Sequence, residues 1–190
     1  MKDLSKFFNT YTKKLNDVIQ EINLKHLNEA SELILKTIKN KNTIFVCGNG
    51  GSAAIANHYI CDFLKYYRER SKYSPKIISL SNSLETITAI ANDMDYKFIF
   101  RYQLESLCSK NDLLIIISSS GNSENVKEVL KFANKKKIKS IGFSGFEGGY
   151  LNKNSSISIH VKANNYGVSE DAHHILMHII LQHLIEKSKK

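Results

Sequence analysis

The amino-acid sequence predicts an α/β fold, a single doubly wound domain with helices on both faces of a five-stranded parallel sheet. Three observations support this prediction. The chain has 190 residues, a usual length for one domain. Five short runs of apolar residues are typical of strands that are buried on both faces. Helical patterns separate most of these runs, and such alternation indicates parallel strands.

Residues 1–40 predict two amphipathic helices, which form an N-terminal extension to an α/β core over 41–190 within the same domain. Apolar residues recur there at steps of three and four, which places them on one face of each helix. We expect both apolar stripes to lie in the core or at an oligomer surface. The first stripe consists of Phe8, Tyr11, Leu15, Val18 and Ile22, and the second of Leu27, Ala30, Ile34 and Ile38.

From residue 43 onward the apolar pattern changes from helical to strand-like. The predicted strands are 43–47, 76–80, 113–117, 140–143 and 157–161. The predicted helices are 53–66, 84–90, 99–107, 125–133 and a final one over about 169–187. Because ligands of such folds bind at the carboxyl ends of the strands, the loops that follow these strands are the first candidates for a functional site.

The composition argues against several kinds of partner. The net charge is +9, but only Arg68, Arg70 and Arg101 are arginines, and arginine is the residue that reads guanine in bidentate fashion. We therefore expect no nucleic-acid partner, and we expect the lysine-rich run 135–139 to be a solvated turn. The longest aliphatic run, 113–117, is far shorter than the roughly 20 residues of a membrane helix, so no membrane partner is expected.

The cysteines indicate the compartment. Cys47, Cys61 and Cys108 are odd in number and widely spaced, which fits a reduced protein better than a disulfide-stapled secreted one. The first residues contain no apolar segment of the kind that directs secretion. The sequence therefore predicts a cytoplasmic protein.

A glycine loop follows the first predicted strand. Its sequence, GNGGSA over 48–53, satisfies the G-x-G-x-x-[GA] pattern of dinucleotide sites. Such sites place an acid after the next strand to hold the ribose, but this chain has Ser81, Asn82 and Ser83 there. The chain also contains no P-loop pattern, so the glycine loop is not assigned to a nucleotide.

A serine loop follows the third predicted strand and precedes a helix. Its hydroxyl groups come from Ser118, Ser119, Ser120 and Ser123, and Gly121 lets the backbone turn close to a ligand. The free N–H groups and the positive dipole end of a helix bind anions. This loop is therefore predicted to bind a phosphate group.

Two helices carry residues with metal-ligand spacing. His58 and Asp62 lie four residues apart on one predicted helix, and Glu170, His174 and His178 follow the same step on the last one. Imidazole nitrogens and carboxylate oxygens are zinc ligands, and the step of four places them on one face. Spacing alone does not decide between His174 and His178.

Five segments in this order and spacing resemble the sugar isomerase (SIS) domain family and, within it, the phosphoheptose isomerases. They are CGNGGSAAIANH over 47–58, ITAIAND over 87–93, SSSGNSENV over 118–126, SGFEGG over 144–149 and EDAHHILMH over 170–178. The similarity extends over nearly the whole chain. Together these motifs are much more specific than any single glycine loop.

The resemblance implies the family's fold, assembly and substrate class. The fold is a five-stranded parallel sheet with N-terminal helices. The assembly is a homotetramer with active sites at subunit interfaces, and the first helical stripe is a candidate part of that contact. The small-molecule substrate is a sugar phosphate. The substrate contacts carried over are Asn49, Gly50, Gly51, Ser52, Asn92, Asp93, Ser118, Ser119, Ser120, Ser123 and Glu170.

The resemblance also implies one Zn²⁺ per subunit. Its ligands fall on His58, Asp62, Glu170 and His178, which leaves His174 outside the set. The chain departs from the family pattern at two of these positions, where Asp62 replaces a glutamate and Glu170 replaces a glutamine. Asp62 is shorter by one methylene, so we expect the metal or the base closer to its helix. Glu170 adds a negative charge, which should tighten a divalent cation and restrain its Lewis acidity.

The implied reaction converts sedoheptulose 7-phosphate to D-glycero-D-manno-heptose 7-phosphate, for heptose in surface polysaccharide. A proton moves between C1 and C2 through an enediolate, which needs a base and an acid. We assign Asp62 as the base, with Glu170 as the other candidate, His178 as the acid, and Asp93 as a candidate for opening the cyclic sugar. Two alternatives are an isomerase of another sugar phosphate and a non-enzymatic adaptor that binds the replication initiator protein.

Overall fold

The computed structural model describes residues 3–189. Within them, the strands are β1 (Thr43–Gly48), β2 (Lys76–Ser79), β3 (Leu113–Ser118), β4 (Lys139–Ser144) and β5 (Ile157–His160). The helices are α1 (Leu4–Gln20), α2 (Leu24–Lys39), α3 (Gly51–Cys61), α4 (Arg68–Arg70), α5 (Leu84–Asp93), α6 (Ile99–Leu107), α7 (Glu124–Lys135), α8 (Gly149–Asn154) and α9 (Tyr166–Ser188). A π-helical turn, Asp62–Tyr67, joins α3 to α4, and a 3-10 turn, Tyr96–Phe98, precedes α6.

The sheet has the predicted architecture. Its five strands are parallel and lie in the order β2-β1-β3-β4-β5, which confirms the predicted α/β fold. The chain leaves β1 toward β2 on one side and leaves β3 toward β4 on the other, so the strand order reverses between β1 and β3. Connections that diverge in this way leave a crevice at the carboxyl ends of the two strands.

Both faces of the sheet are covered by apolar layers, because successive side chains of a strand point to opposite faces. Leu113, Ile115 and Ile117 of β3 pack in the layer formed with α2, α3 and α9. Leu114 and Ile116 pack in the opposite layer with α5, α6 and α7. All six residues of β3 are buried, which explains why this strand is apolar along nearly its whole length.

The two N-terminal helices differ in burial. The predicted stripe of α2, which consists of Leu27, Ala30, Ile34 and Ile38, is buried in the core. In α1 no residue is buried, and Phe8 is 62% exposed. Tyr11 and Leu15 of α1 pack partly against the core, where this helix lies on α9. Of the first apolar stripe, Phe8 is therefore open to solvent in the single chain, whereas Tyr11, Leu15 and Val18 are half-buried and Ile22 is buried.

Three elements differ from the prediction. The predicted helix 53–66 begins at Gly51, and its α-helical part ends at Cys61, where the π-helical turn starts. Helix α9 begins at Tyr166, because Asn165 caps it by accepting a hydrogen bond from the Val168 N–H at 3.0 Å. The six-residue helix α8 has only one buried residue, Leu151, so its sequence shows no apolar period from which it could be predicted.

Two further observations concern the lysine-rich run and the apolar character of the helices. The lysines of the run 135–139 are exposed at the end of α7 and the turn before β4. No helix within residues 3–189 combines the length and the apolar character needed to cross a membrane.

Candidate active site

The glycine loop between β1 and α3 requires glycine at two neighbouring positions. Gly50 has a φ of 53° and a ψ of −122°, a conformation that residues with a Cβ rarely adopt. Gly51 is the first residue of α3, and a Cβ there would collide with the carboxylate of Glu170 on α9. The loop therefore brings the start of α3 into contact with an acidic side chain of the last helix.

A pair of asparagines joins the glycine loop to the serine loop. The Asn49 amide donates to Asn125 Oδ1 at 2.9 Å, and the Asn125 amide donates to Asn49 Oδ1 at 2.8 Å. Asn125 is only 1% exposed, and its Oδ1 also accepts from the Val126 N–H. The Tyr96 hydroxyl donates to Asn49 Oδ1 at 3.1 Å. This asparagine pair fixes the two loops relative to each other across the crevice between β1 and β3.

The serine loop lines a small cavity at the carboxyl ends of β1 and β3. Ser119 is 5% exposed, and its Oγ is buried without a hydrogen-bond partner. A buried hydroxyl without a partner is uncommon in proteins, and this one lies at a cavity in which a ligand could bond to it. The cavity measures about 140 Å³, and its lining residues are Asn49, Ser52, Ser118, Ser119, Ser120, Ser123, Tyr166 and Glu170.

The electrostatics of this cavity suit an anion at one side. Helix α3 begins at Gly51 beside the cavity, and α7 begins at Glu124 directly after the serine loop. The N-termini of helices present free N–H groups and a partial positive charge. Glu170 places a carboxylate in the same cavity. A bound molecule must therefore place a neutral or hydrogen-bond-donating part, and not its anionic group, next to Glu170.

A larger cavity of about 440 Å³ lies at the opposite, amino-terminal edge of the sheet. Asn42, Asn111, Lys137 and Lys139 are among its lining residues. None of the predicted site residues reaches it, and ligands of doubly wound folds bind at the carboxyl ends of the strands. The smaller cavity is therefore the candidate active site.

His58, Asp62 and His178 converge from two helices beside that cavity. His58 Nε2 lies 3.2 Å from His178 Nε2. Asp62 Oδ2 lies 3.4 Å from His58 Nε2 and 3.2 Å from His178 Nε2. Four ligands placed tetrahedrally around zinc at 2.0–2.1 Å are separated from one another by about 3.3 Å. The three observed separations match that value.

The burial of Asp62 supports the same interpretation. Its Oδ2 is buried and has no hydrogen-bond partner. A buried carboxylate oxygen without a donor is costly unless it binds a cation or a proton. Together with the adjacent nitrogens of His58 and His178, this unpartnered oxygen fits the donor set of a zinc ion.

His174 belongs to the same cluster, although the predicted ligand set leaves it out. One ring nitrogen from each of His58, His174 and His178 lies within 4.8 Å of the other two. The His174 ring centroid is 4.5 Å from those of both other rings, and its Nε2 is buried without a partner. Burial, and then the neighbouring His178 and His58, lower the pKa of His174, which favours the neutral imidazole that binds metals.

Two other histidines of α9 take no part in this cluster. His173 is fully buried in the core with its ring edge toward Phe143, and burial lowers its pKa to about 4. His183 bonds to the Ser31 hydroxyl through Nδ1 at 3.0 Å.

Three predicted residues lie apart from the histidine cluster in the single chain. Glu170, one turn before His174, lines the serine cavity and is outside the described three-histidine group. Asn92 and Asp93 lie exposed at the end of α5, where the Asn92 amide donates to Asp93 Oδ1 at 2.7 Å. Neither of these two lines the serine cavity.

Three tyrosines near the site could not be predicted as site residues from the sequence. Tyr166 lines the serine cavity and packs against Phe146 with ring centroids 4.7 Å apart. Tyr11 donates to Asp171 Oδ2 at 2.7 Å, which raises the pKa of Tyr11 to about 12. These two and Tyr96 are joined to the site by contacts between distant parts of the chain, for which the sequence carries no local signal.

Comparison with known proteins agrees with the motifs. The SIS domain family model matches residues 6–145. The phosphoheptose isomerase of Aliarcobacter butzleri is 40% identical over 156 residues, which cover 82% of this chain and 82% of that protein. The phosphoheptose isomerase of Helicobacter pylori strain 26695 is 36% identical over 155 residues, covering 81% of this chain and 80% of that protein.

Solved structures show the same similarity in three dimensions. The phosphoheptose isomerase of Neisseria gonorrhoeae has a TM-score of 0.86 at 26% identity, over 95% of this chain and 96% of that one. The enzyme of Francisella tularensis has a TM-score of 0.88 at 25% identity, over 97% of both chains. The family resemblance predicted from the motifs is confirmed: this chain belongs to the SIS domain family and, within it, to the phosphoheptose isomerases.

Proposed function

We propose that this chain is a sugar-phosphate isomerase that converts sedoheptulose 7-phosphate to D-glycero-D-manno-heptose 7-phosphate. The observation that carries the proposal is the placement of an anion cavity beside a cluster of metal-ligand side chains. The cavity lies at the crevice where the strand order reverses, and both the cavity and the cluster include residues of helix α9. The family membership supports the same reaction. In the cell, we place the enzyme in the cytoplasm, where it would supply heptose for surface polysaccharide.

The serine loop and the starts of α3 and α7 would bind the phosphate of the substrate. Ser119 Oγ is buried and unpartnered, so it can donate to a phosphate oxygen without giving up another bond. Through its two hydrogen bonds with Asn49, Asn125 holds the serine loop at a fixed distance from the glycine loop, and Asn49 also lines the cavity. Anchoring the far end of the sugar in this way decides which carbon atoms reach the reacting side chains.

His58, Asp62 and His178 would hold a Zn²⁺ ion, since their donor atoms have the separations of a tetrahedral site. When bound, the ion would supply Lewis-acid stabilisation of the negative charge that forms on the sugar oxygens during isomerisation. The sequence assigns the fourth ligand to Glu170.

The proton transfer needs a carboxylate close to C1 and C2 of the sugar. Asp62 is the base assigned from the sequence, with His178 as the acid. Glu170 is the other carboxylate at the site, and its side chain lines the cavity formed by the serine loop. Ring opening of the cyclic substrate would fall to Asp93, in an assembly that brings it to the site.

A homotetramer with sites at subunit interfaces would complete this arrangement. Two observations support it. Asn92 and Asp93 are exposed and outside the cavity in the single chain, and Leu4, Phe7 and Phe8 at the start of α1 are exposed. A neighbouring copy could cover these three apolar residues and present the Asn-Asp pair to its partner's cavity.

The non-enzymatic adaptor that binds the replication initiator protein is the alternative from another class. Such a protein has no need of metal ligands, whereas this chain brings four potential donor residues together from two helices. An isomerase of a pentose or hexose phosphate is the alternative from the same class. It would use the same cavity and differ in the length of sugar accepted.

A metal assay with a panel of substrates tests the proposal. Purified protein is supplied with zinc and offered sedoheptulose 7-phosphate together with pentulose and hexulose phosphates, and the aldose products are measured. We expect turnover to be highest with the seven-carbon substrate. Turnover only with a shorter sugar would reassign the substrate, and no turnover and no bound metal would favour the adaptor.

A further inference from the structure

We propose that Tyr166 is a specificity-determining residue that contacts the carbon chain of the sugar beside its phosphate, and that Phe146 positions the Tyr166 ring. This inference rests on the proposed isomerase function and adds a substrate contact to its site. It concerns recognition of the sugar alone and is independent of which side chains bind a metal or move the proton.

The serine cavity is too small to enclose a whole sugar phosphate. It measures about 140 Å³, whereas pockets that enclose a small-molecule ligand usually measure roughly 300–1,000 Å³. A sugar whose phosphate is bound by the serine loop would therefore extend its carbon chain through the mouth of the cavity. Tyr166 is the most exposed of the lining residues, at 63%, so its ring lies at that mouth.

The order of residues along α9 decides which part of the sugar would meet Tyr166. Tyr166 lies one helical turn before Glu170, and Glu170 lies one turn before His174 of the three-histidine group. Eight residues of an α-helix span about 12 Å, so Tyr166 and the histidines stand at opposite ends of this row. A ketose with its reacting carbons toward the histidines would turn its remaining carbons toward Tyr166.

The Tyr166 ring is held in place by Phe146. The two ring centroids are 4.7 Å apart at an interplanar angle of 60°, the edge-to-face arrangement that aromatic pairs favour. The Gly145 N–H, next to Phe146, donates to the Ser119 carbonyl at 2.8 Å. The aromatic pair is therefore fixed relative to the serine loop. A tyrosine there offers an apolar face to the C–H groups of a sugar and a hydroxyl to its polar groups.

The backbone of Phe146 adopts a conformation that is unusual for its residue type. Its φ is 44°, in the left-handed region that bulky side chains avoid. The conformation is held from both sides, because the Phe146 N–H donates to the Ala163 carbonyl at 3.0 Å and His160 Nε2 donates to the Phe146 carbonyl at 2.8 Å. Lys41 and Lys137 also have positive φ, but they follow helices, where this conformation is common. Phe146 follows a strand, and strain of this kind is concentrated at functional sites.

Steady-state kinetics and calorimetry on the full-length protein supplied with zinc test the role of Tyr166. Tyr166→Ala should raise KM for sedoheptulose 7-phosphate by about 10-fold and change kcat by less than about 2-fold, because the contact lies away from the reacting carbons. It should lower kcat/KM less for a pentulose phosphate, which places fewer carbons at the mouth. The affinity for inorganic phosphate, measured by calorimetry, should stay that of the wild type.

The matched control is Tyr102→Ala. Tyr102 is an exposed tyrosine of α6 and does not line the serine cavity. Its removal should change neither KM nor the affinity for phosphate. Tyr166→Phe keeps the ring and loses the hydroxyl, so its KM should lie between those of the wild type and Tyr166→Ala.

The positioning role of Phe146 has its own test. Phe146→Asn removes the ring, and asparagine adopts the left-handed conformation more readily than other residues with a side chain. This variant should raise KM by about 3-fold, part of the Tyr166→Ala effect, and Phe146→Tyr should restore the wild-type value. The double variant of Phe146→Asn and Tyr166→Ala should have the KM of Tyr166→Ala alone, because Phe146 acts through Tyr166.

The outcomes separate the inference from the proposed function. A wild-type KM in Tyr166→Ala, or an equal loss of affinity for inorganic phosphate, overturns the role of Tyr166, and additive effects in the double variant overturn that of Phe146. In each case, conversion of sedoheptulose 7-phosphate by the wild type would leave the isomerase proposal standing. A wild type that binds this sugar phosphate without converting it refutes the proposed function, and weaker binding in Tyr166→Ala would then still support the inference. A wild type that binds the sugar phosphate no better than inorganic phosphate overturns the inference.

Discussion

Asp62 is the residue on which the proposed metal centre most depends. Its Oδ2 is buried between the Nε2 atoms of His58 and His178 and receives no hydrogen bond. An amide at this position would bind zinc more weakly than the carboxylate, because it carries no charge to balance the cation. The effect of replacing Asp62 should therefore fall on the metal and on turnover, while the phosphate cavity is left intact.

Asp62→Asn should lower turnover by at least about 100-fold, the scale expected when a group that acts in the reaction is lost. Zinc affinity should fall with it, because the amide replaces a charged ligand. Binding of inorganic phosphate, measured by calorimetry, should stay close to that of the wild type. An Asp62→Asn protein with full turnover and full zinc affinity would show that Asp62 is neither ligand nor base.

The Ser119 hydroxyl is expected to contribute to ligand binding and not to the stability of the fold. Its hydroxyl has no partner in the described chain, so its removal should cost the fold little, and can even stabilise it. Ser119→Ala should raise KM for the sugar phosphate by about 10-fold, equivalent to one hydrogen bond to a charged group, with a smaller change in kcat.

The matched control for Ser119 is another buried serine outside the cavity. Ser140 Oγ accepts from the Ser156 N–H at 3.0 Å. Ser140→Ala should therefore lower the free energy of unfolding by about 1 kcal/mol and leave KM unchanged. Urea unfolding and steady-state kinetics on both variants check the pair. A rise in KM in Ser140→Ala as large as that in Ser119→Ala would refute the assignment of Ser119 to the substrate.

At the scale of elements, the asparagine pair joins the loop after β1 to the loop after β3. Asn125 is buried and makes bonds to Asn49 and to the Val126 N–H. Asn125→Ala leaves Asn49 without its partner amide, so the glycine loop loses its fixed position against the serine loop.

Asn125→Ala should lower the free energy of unfolding by about 1–3 kcal/mol. It should also raise KM, because Asn49 and the serine loop no longer keep the spacing that the substrate requires. The two effects are separated with Tyr96→Phe, which removes only the Tyr96 hydroxyl bond to Asn49 and should perturb KM less. Unchanged KM in Asn125→Ala would show that the pair serves folding alone.

The π-helical turn shows why one element could not be predicted in full. Tyr59, Phe63 and Tyr67 are all buried and contact one another in sequence, edge to face at 4.7 Å and tilted at 5.3 Å between ring centroids. Their spacing of four residues is compatible with an α-helix, so the sequence predicts one continuous helix over 53–66. The change to π-helical hydrogen bonding at Asp62 alters the backbone and leaves the apolar period unchanged.

The whole molecule was more predictable from its sequence than the finer geometry of its site. The sheet followed from strands that are apolar on both faces, and the pair His58 and Asp62 followed from helical spacing. The choice among Glu170, His174 and His178 could not follow from spacing, because all three share one face of α9 at steps of four. Their separation into a cavity residue and two cluster residues depends on how α9 packs against α3.

The exposed apolar residues at the start of α1 bear on the proposed assembly. Leu4, Phe7 and Phe8 are 78%, 60% and 62% exposed, more apolar surface than a helix usually leaves to water when it has no partner. Phe8→Asp should shift the protein from the proposed tetramer to smaller species in sedimentation and lower its activity in parallel. Lys13→Asp, an exposed polar position on the same helix, should leave the assembly intact. A Phe8→Asp protein that remains tetrameric would exclude the start of α1 from the interface.

The single turn of α9 between Glu170 and His174 has a pharmacological consequence. Side chains one turn apart on a helix lie about 5–6 Å from each other, so the anion cavity and the histidine cluster are close neighbours. A small inhibitor with a phosphonate at one end and a zinc-chelating hydroxamate at the other could occupy both at once. Resistance to such a compound would require a change in residues that the enzyme needs for its own substrate.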